Sequence, residues 1–293
     1  MLFSNSLQSA MKERIRQLFG AADEMQYQSV GGGSINETYR LNLGHKSFFC
    51  KVNSATKFPQ LFIKEKHGLT LLGKHNIIKV PLNIDCFEYE DTQILILEWI
   101  QEGERTISFW KKFGEELAKL HLVCNDRFGL SEDNYMGSVP QSNQQHDKWS
   151  AFFVQERLQP MIQRCIAKNL LSTKHVQQFE WLFKNIATIF EEERPALLHG
   201  DLWSGNFMCN HNSEPVLIDP AVYYGHRSVD LAMTTLFGGF RQPFYEAYHY
   251  YYPFPINYKE QWSLCNFYPL LIHLYLFDKS YLPQIEKALV LFQ

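Results

Sequence analysis

The chain has 293 residues, 45% hydrophobic and 20% charged, a balance that excludes a disordered polypeptide and suits one large domain or two modest ones. Its 28 Lys+Arg against 31 Asp+Glu leave a formal net charge of −3, so there is no global basic surface to hold nucleic acid by counterion release. The aromatic share is high at 15%, from 23 Phe, 15 Tyr and 6 Trp, and composition alone leaves open whether these rings fill a core or form stacking surfaces.

In chain order, Leu7, Met11, Ile15 and Leu18 recur at three- and four-residue steps and predict an amphipathic helix over 6–20, ended by Gly20. Gly31-Gly32-Gly33-Ser34 precedes an alternating run through Thr38, Tyr39 and Leu41. After a turn at Gly44 comes Phe48-Phe49-Cys50-Lys51-Val52, and a glycine turn between two such runs reads as a hairpin. Residues 58–73 have helical spacing, and Ile77–Pro81 and Gln93–Trp99 read as short strands. The composition turns polar at 101–106, and helical patterns then dominate: 109–122, 149–171 and 173–189, with a loop at 140–145. Short strand-like runs at 196–199, 207–209 and 216–218 interrupt this before helical spacing resumes at Val229. The order predicts an α+β, two-lobed fold. A strand-rich lobe spans 1–100, a hinge lies at about 98–106, and a helical lobe spans 105–293.

The six cysteines, Cys50, Cys86, Cys124, Cys165, Cys209 and Cys265, include no C-x-x-C pair and read as buried reduced thiols in a chain long enough to hold a core without disulfides. No secretory leader pattern opens the sequence. The longest apolar stretch, Phe267–Phe277, is broken by Pro269 and His273 and falls short of the roughly 20 residues that cross a bilayer. A cytoplasmic protein, monomeric or weakly dimeric and with no membrane or nucleic-acid partner, is expected.

The segment richest in chemistry is Leu198-His199-Gly200-Asp201-Leu202-Trp203-Ser204-Gly205-Asn206, followed by Leu217-Ile218-Asp219-Pro220. Two acids and an amide stand in turns just after apolar strands, where the strand ends fix the backbone and leave polar side chains exposed. Phosphoryl transfer needs such a set: an acid to take the acceptor's proton, and oxygen ligands for a magnesium ion on the phosphates. The Asp-x4-Asn spacing of Asp201 and Asn206 equals that of a kinase catalytic loop, and Asp219 at a strand end would be the second metal ligand. Singly, Asp201 and Asn206 could be turn formers and Asp219 a helix cap; together, at this spacing, they point to the site.

The strand-rich lobe should then grip a nucleotide. Gly31-x-Gly33-x-x-Asn36 is only part of a glycine-rich phosphate loop, but it lies in a hairpin turn where backbone N–H groups can approach phosphate. Lys51 can reach the α- and β-phosphates, Glu65 can hold Lys51, and Glu98-Trp99-Ile100 can offer backbone hydrogen bonds to adenine. The glycines sit in a hairpin without alternating strands and helices, which excludes a dinucleotide-binding parallel sheet.

At these residues the sequence resembles the fructosamine/ketosamine kinases of the protein-kinase-like superfamily, to which aminoglycoside and choline kinases also belong. The likeness rests on the His199–Asn206 segment, Asp219-Pro220-Ala221, Tyr224-Gly225-His226, Gly31-Gly32-Gly33, Lys51-Val52-Asn53, the insert from Phe128-Gly129 to Phe152-Phe153, and Leu236-Phe237-Gly238-Gly239-Phe240. It implies Asp201 as catalytic base, Asn206 and Asp219 as magnesium ligands, and Lys51 and Glu65 as the phosphate-binding pair. His199 would orient the loop and Asp230 brace it; a plain first-turn helix acid is the other reading of Asp230. Trp203 is expected as a flat wall for a sugar ring, or else as a core ring beside the loop. Tyr224, Gln141 and Asn143 are further substrate contacts. Ser34 stands where some members carry a reactive cysteine, which leaves Cys50 as the thiol nearest the loop. The implied reaction transfers phosphate from ATP to the 3-hydroxyl of a free or protein-bound ketosamine, a deglycation step. A different small alcohol acceptor and a nucleotide-binding pseudokinase are the competing readings, the last weakened because no catalytic residue is lost.

Overall fold

In the computed structural model, which describes residues 4–20, 25–31 and 35–292, Leu7, Met11 and Ile15 form the buried stripe of helix α1 (Asn5–Phe19). The Ser4 hydroxyl caps its start by accepting from Leu7 N, and Gly20, at φ +86°, ends it. Strands β1 (Met25–Ser29), β2 (Glu37–Leu43) and β3 (Lys46–Ser54) lead to helix α2 (Leu61–Gly73), then to β4 (Asn83–Tyr89) and β5 (Thr92–Glu98). The five strands make one antiparallel sheet in the order β1-β2-β3-β5-β4.

Both faces of the centre of this sheet are covered. Ile94 and Ile96 join Cys50 and Val52 in the core under α1, whereas Leu95 and Leu97 pack with Phe62 and Leu69 of α2. A strand packed on both sides reads as an unbroken apolar run, which is why Ile94–Leu97 does not alternate. Each such side chain contributes about 1.5–3 kcal/mol by its burial, and a one-residue slip would exchange the two faces. Lys51, between Cys50 and Val52, is thereby turned away from α1 and toward α2.

The strand expected at 77–81 is instead a connector: Lys79 makes an isolated parallel bridge to Val216. The fifth strand is β4, a half-buried edge with a register shift between Asn83 and Asp85, whose mixed polar and apolar sequence hid it. Beyond β5 the chain is mostly helical: α3 (Ile107–His121), a hairpin of β6 (Asn134–Met136) and β7 (Val139–Gln141), α4 (Trp149–Phe152), α5 (Gln159–Ala167) and α6 (Thr173–Ile189). Four short strands follow, β8 (Ala196–Leu198), β9 (Phe207–Cys209), β10 (Pro215–Leu217) and β11 (Tyr223–Gly225). The chain closes with α7 (Ser228–Leu236), α8 (Gln242–Tyr251), α9 (Tyr258–Cys265), α10 (Phe267–Leu276) and α11 (Leu282–Val290).

The single helix expected over 149–171 is divided by a π-helical stretch, Phe153–Leu158, between α4 and α5. Pro160, with no N–H to donate to the carbonyl of Glu156, accounts for the widened turn. Most of the aromatic excess fills this lobe. Phe113, Phe207, Phe240 and Phe244 meet at ring separations of 4.9–5.7 Å. At Gly114 the backbones of α3 and α8 touch, since a Cβ there would lie 2.1 Å from Phe244 O.

Candidate active site

Two antiparallel pairs, β8 with β11 and β9 with β10, present two turns side by side: residues 199–206 between β8 and β9, and 218–222 between β10 and β11. The turns are stitched by Ala221 N donating to His199 O at 2.9 Å. Gly200, at φ +82°, is where they meet, and a Cβ there would come within 2.0 Å of Ala221 O.

Asp230, fully buried near the start of α7, fixes the first turn from below. Its Oδ2 accepts from His199 N at 2.7 Å and its Oδ1 from Gly200 N at 2.8 Å. The ring of His121 lies 3.2 Å from Asp230 Oδ2 through Nε2 and 2.8 Å from the Tyr248 hydroxyl through Nδ1. His199 is also buried, and burial lowers its pKa despite the opposing field of Asp230. Its Nδ1 accepts from Asp201 N at 3.2 Å, so Nε2–H donates to Ile218 O at 2.9 Å. A neutral imidazole with this tautomer orients the turn; it has no free nitrogen left to take a proton.

Asp201 faces the space above the turns. Burial pushes its carboxyl up to about 7; Asn206 opposes this by donating from Nδ2 to Oδ2 at 2.9 Å, and the negative fields of Asp219 and Asp230 reinforce it. The same Asn206 nitrogen holds Asp201 O at 2.8 Å, which leaves Asn206 Oδ1 as the acceptor atom for a cation. Asp219 adopts φ +54°, a conformation Asp tolerates better than most residues. Its Oδ1 lies 2.5 Å from Lys51 Nζ, which also donates to Glu65 Oε1 at 2.7 Å. Lys51 is 2% exposed. Burial opposes its charge, but Asp219 and then Glu65 outweigh that and hold its pKa above the ordinary lysine value.

Two adjoining cavities share Asn36, Lys51 and Asp219. The smaller, about 170 Å³, is bounded by Asp201, Asn206, Trp203, Asn134, Tyr135 and Lys64, among others. Trp203 is 38% exposed and its ring lies against Gly205, where a Cβ would meet it at 2.3 Å; it is a wall of the cavity, not a core ring. The larger, about 590 Å³, is lined by Gly31 and by Glu98, Trp99 and Ile100 at the end of β5. Gly32, Gly33 and Ser34 lie outside the described residues.

Three expected substrate contacts are elsewhere. Gln141 and Asn143 are 1% and 0% exposed. Gln141 bridges Asn134 Oδ1 and the Tyr268 hydroxyl; Asn143 Oδ1 accepts from the buried Arg157 at 2.6 Å. Their amides complete a polar core, and only through Asn134 does Gln141 bear on the cavity. Tyr224 is bonded through its backbone to Gly129 and lines a separate groove with His67 and Leu130, because on β11 it is the neighbouring Tyr223 that points inward. Cys50 is fully buried in the core under α1, and burial raises its pKa, so it is not an accessible thiol. Asn134 and Tyr135 belong to the insert that carries the family likeness but have no site role in the sequence reading, and Lys64 and His121 have no signal in the sequence. The first two lie in a stretch with no helical or strand period, and His121 reads as one more polar residue at a helix end.

No three His, Cys, Asp or Glu side chains among the described residues form a closed metal cage. An amide oxygen and one carboxylate beside a phosphate-sized space instead suit magnesium, which keeps waters and takes the rest of its ligands from a nucleotide.

A five-stranded lobe carrying a Lys–Glu pair, joined to a helical lobe carrying Asp201, Asn206 and Asp219 at a shared cleft, defines a phosphotransferase with the protein-kinase-like fold. An aminoglycoside phosphotransferase, APH(4)-Ia, shares that fold at TM-score 0.63 and 12% identity, covering 96% of this chain and 99% of its own. Closer solved structures are candidate fructosamine-3-kinases. The one from Haemophilus somnus has TM-score 0.86 at 27% identity, with 96% of each chain covered. The one from Thermobifida fusca has TM-score 0.85 at 28% identity, with 97% and 99% covered. A probable ketoamine kinase from Synechocystis is 38% identical over 266 residues, 89% of this chain and 88% of its own, and one from Enterococcus faecium is 34% identical over 262 residues, 89% and 92%. The fructosamine kinase family model matches residues 7–291. The chain belongs to the fructosamine kinase family, and it is a phosphotransferase with an alcohol acceptor.

Proposed function

We propose that the protein transfers the γ-phosphoryl group of ATP to the 3-hydroxyl of a ketosamine, the adduct of a sugar with an amine or a lysine side chain. The observation that carries this is the pair of adjoining cavities that share Lys51 and Asp219, with Asp201 lining the smaller one. Adenine lies against Glu98–Ile100 in the larger cavity, Lys51 reaches the phosphates, and the sugar stands on Trp203 with its hydroxyl at Asp201. Asn206 and Asp219 hold magnesium, which neutralises charge on the phosphates. Asp201 accepts the hydroxyl proton as the acceptor oxygen bonds to the γ-phosphorus and the bond to the β,γ-bridging oxygen breaks, so that ADP leaves. The resulting 3-phosphate loses inorganic phosphate by β-elimination, and water then hydrolyses the imine left behind to the free amine and a 3-deoxy-dicarbonyl sugar, a repair outcome for a glycated lysine.

A polycationic acceptor would need carboxylates to spare. Three of the four acids of the insert are engaged elsewhere, Asp147 with Arg127, Glu132 with His67 and Asp133 with Asn143 N, and the fourth, Asp126, lines neither cavity. That favours the ketosamine over an aminoglycoside. No helix among the described residues is long and apolar enough to cross a membrane; a cytoplasmic setting is part of the same proposal. Initial rates on a panel of ribulosyl-lysine, fructosyl-lysine, sugars and amino-alcohols, with phosphorus NMR of the product, test it. The 3-phosphate of a ketosamine is expected; turnover confined to another alcohol would overturn the substrate assignment.

A further inference from the structure

Trp203 does not end the aromatic surface that begins in the acceptor cavity. Its ring meets Phe237 edge-on at 6.0 Å, Phe237 lies 4.8 Å from His273, and His273 lies 5.4 Å from Phe277 and 5.0 Å from Tyr281. These rings come from three places in the chain: the catalytic turn, the end of α7, and α10 with the turn after it. Gly239, at φ +93°, is pressed against Ser204, where a Cβ would stand 2.5 Å from Ser204 Cβ. This close approach fuses the 237–239 turn to the catalytic turn and sets Phe237 beside Trp203. Trp203 and Phe237 are each 38% exposed and Phe277 is 57% exposed. His273 donates from Nδ1 to Pro269 O at 2.7 Å, and burial lowers its pKa, so it adds a neutral ring. Asp278, directly after Phe277, is an exposed carboxylate that accepts from Ser280 N at 2.7 Å.

We infer that this strip, from Trp203 through Phe237 and His273 to Phe277 and Tyr281, is a subsite for the amine side of the acceptor and that it receives a peptide with apolar or aromatic residues beside the modified lysine. The inference rests on the ketosamine reading. Its supports are the continuity of the strip with the acceptor cavity and its chemistry. A cavity of about 170 Å³ has room for the sugar while the amine must leave it, and the only aromatic path leaving the Trp203 wall among the described rings is this one. Exposed aromatic rings reward desolvation by an apolar partner and cost little side-chain entropy on binding. The rings carry no charge, and Asp278 at their far end is a single exposed carboxylate, so the strip offers a polycation little to pair with.

The test compares free ribulosyl-lysine with the same residue inside a pentapeptide flanked by Phe and Leu, for the wild type and for Phe277→Ala and Tyr281→Ala. In the wild type the peptide acceptor should have the lower KM. Either variant should raise the peptide KM by roughly three- to tenfold, the loss expected for one truncated aromatic contact of about 1 kcal/mol, with KM for free ribulosyl-lysine and for ATP unchanged. Equal KM values for the two acceptors, or variants that leave the peptide KM alone, would overturn the subsite. If neither acceptor is phosphorylated, the ketosamine reading falls. Titration of the unmodified pentapeptide, followed by Trp203 fluorescence, then decides the strip by itself: saturable binding lost in Phe277→Ala supports it, and absence of binding refutes it. Sedimentation closes the other route, since a dimer that Phe277→Ala dissociates without changing the peptide KM would make the strip a contact between copies of this chain.

Discussion

Asp201 carries two opposed demands. As the proposed base it must be ionised to take a proton, yet burial and its acidic neighbours push its carboxyl up to about 7. Asn206 holds the ionised form with one hydrogen bond, and a cation on Asp219 and Asn206 would remove the repulsion when nucleotide binds. Asp201→Asn should therefore lower kcat by about 10²–10⁴ while nucleotide affinity is retained; a variant with full turnover would show that another group is the base. The same residue sets a pH dependence of stability. In the unfolded chain the carboxyl ionises near 3.8, its ordinary value; in the fold it keeps its proton up to about 7. The folded state thus binds a proton that the unfolded state has lost, and stability from this residue declines as pH rises between those values. Asp201→Asn, which cannot ionise, should gain in Tm over the wild type across pH 4 to 7 and keep a constant lead above that. A difference independent of pH, in thermal melts at matched ionic strength, would place the Asp201 pKa near its ordinary value.

The hairpin of β6 and β7 belongs to the helical lobe but reaches across to α2, the helix that carries Glu65. The Tyr135 hydroxyl donates to Pro59 O at 3.1 Å, Lys64 Nζ to Asp133 O at 2.6 Å, and His67 pairs with Glu132 at 3.1 Å. These three links hold α2 from the side opposite the hinge, and so hold Glu65 on Lys51. Each is worth about 0.5–1.5 kcal/mol. Removing two of them in Tyr135→Phe/His67→Ala should speed amide hydrogen exchange in α2 by about an order of magnitude, with α3 and α8 unaffected. Unchanged exchange in α2 would mean that the hairpin only rests against it. At this scale the sequence is unevenly informative. Glycine turns, apolar runs and four-residue spacing expose α1, β3, β5, α3 and α6, because those elements bury a regular face. The chemistry of Asp201, Asn206 and Asp219 is visible in the turns between short strands. The hairpin is not visible: its three-residue strands alternate too briefly to show a period, and Gln141 and Asn143 look like loop amides until the buried Arg157 and Tyr268 account for them. The turn between α7 and α8 looks like a flexible Gly-Gly pair, and its tight contact with Ser204 exists only in three dimensions.

Across the whole molecule, the cleft is where opposite charges of the two lobes meet. Lys51 from the strand-rich lobe and Asp219 from the helical lobe neutralise each other at 2.5 Å. In the proposed reaction both are needed elsewhere: Lys51 on the phosphates and Asp219 on the metal. Glu65 keeps Lys51 in place during that exchange, so the inter-lobe ion pair can open without leaving a buried ammonium unpaired. Binding should consequently depend on the metal. ATP without magnesium brings four negative charges toward Asp219 and Asp201 and should raise Tm little. Magnesium and ATP together, at about a hundred times their joint Kd, should stabilise the fold by about 2.7 kcal/mol. Asp219→Asn removes a ligand and a negative charge at once, so it separates these effects: the increment due to magnesium should vanish, while ATP alone should stabilise the variant at least as well as it does the wild type. Scanning calorimetry of both proteins, with ATP in EDTA and with ATP and magnesium, measures this directly. A magnesium increment that survives in Asp219→Asn would assign the metal to other ligands and leave Asp219 with the single task of pairing with Lys51.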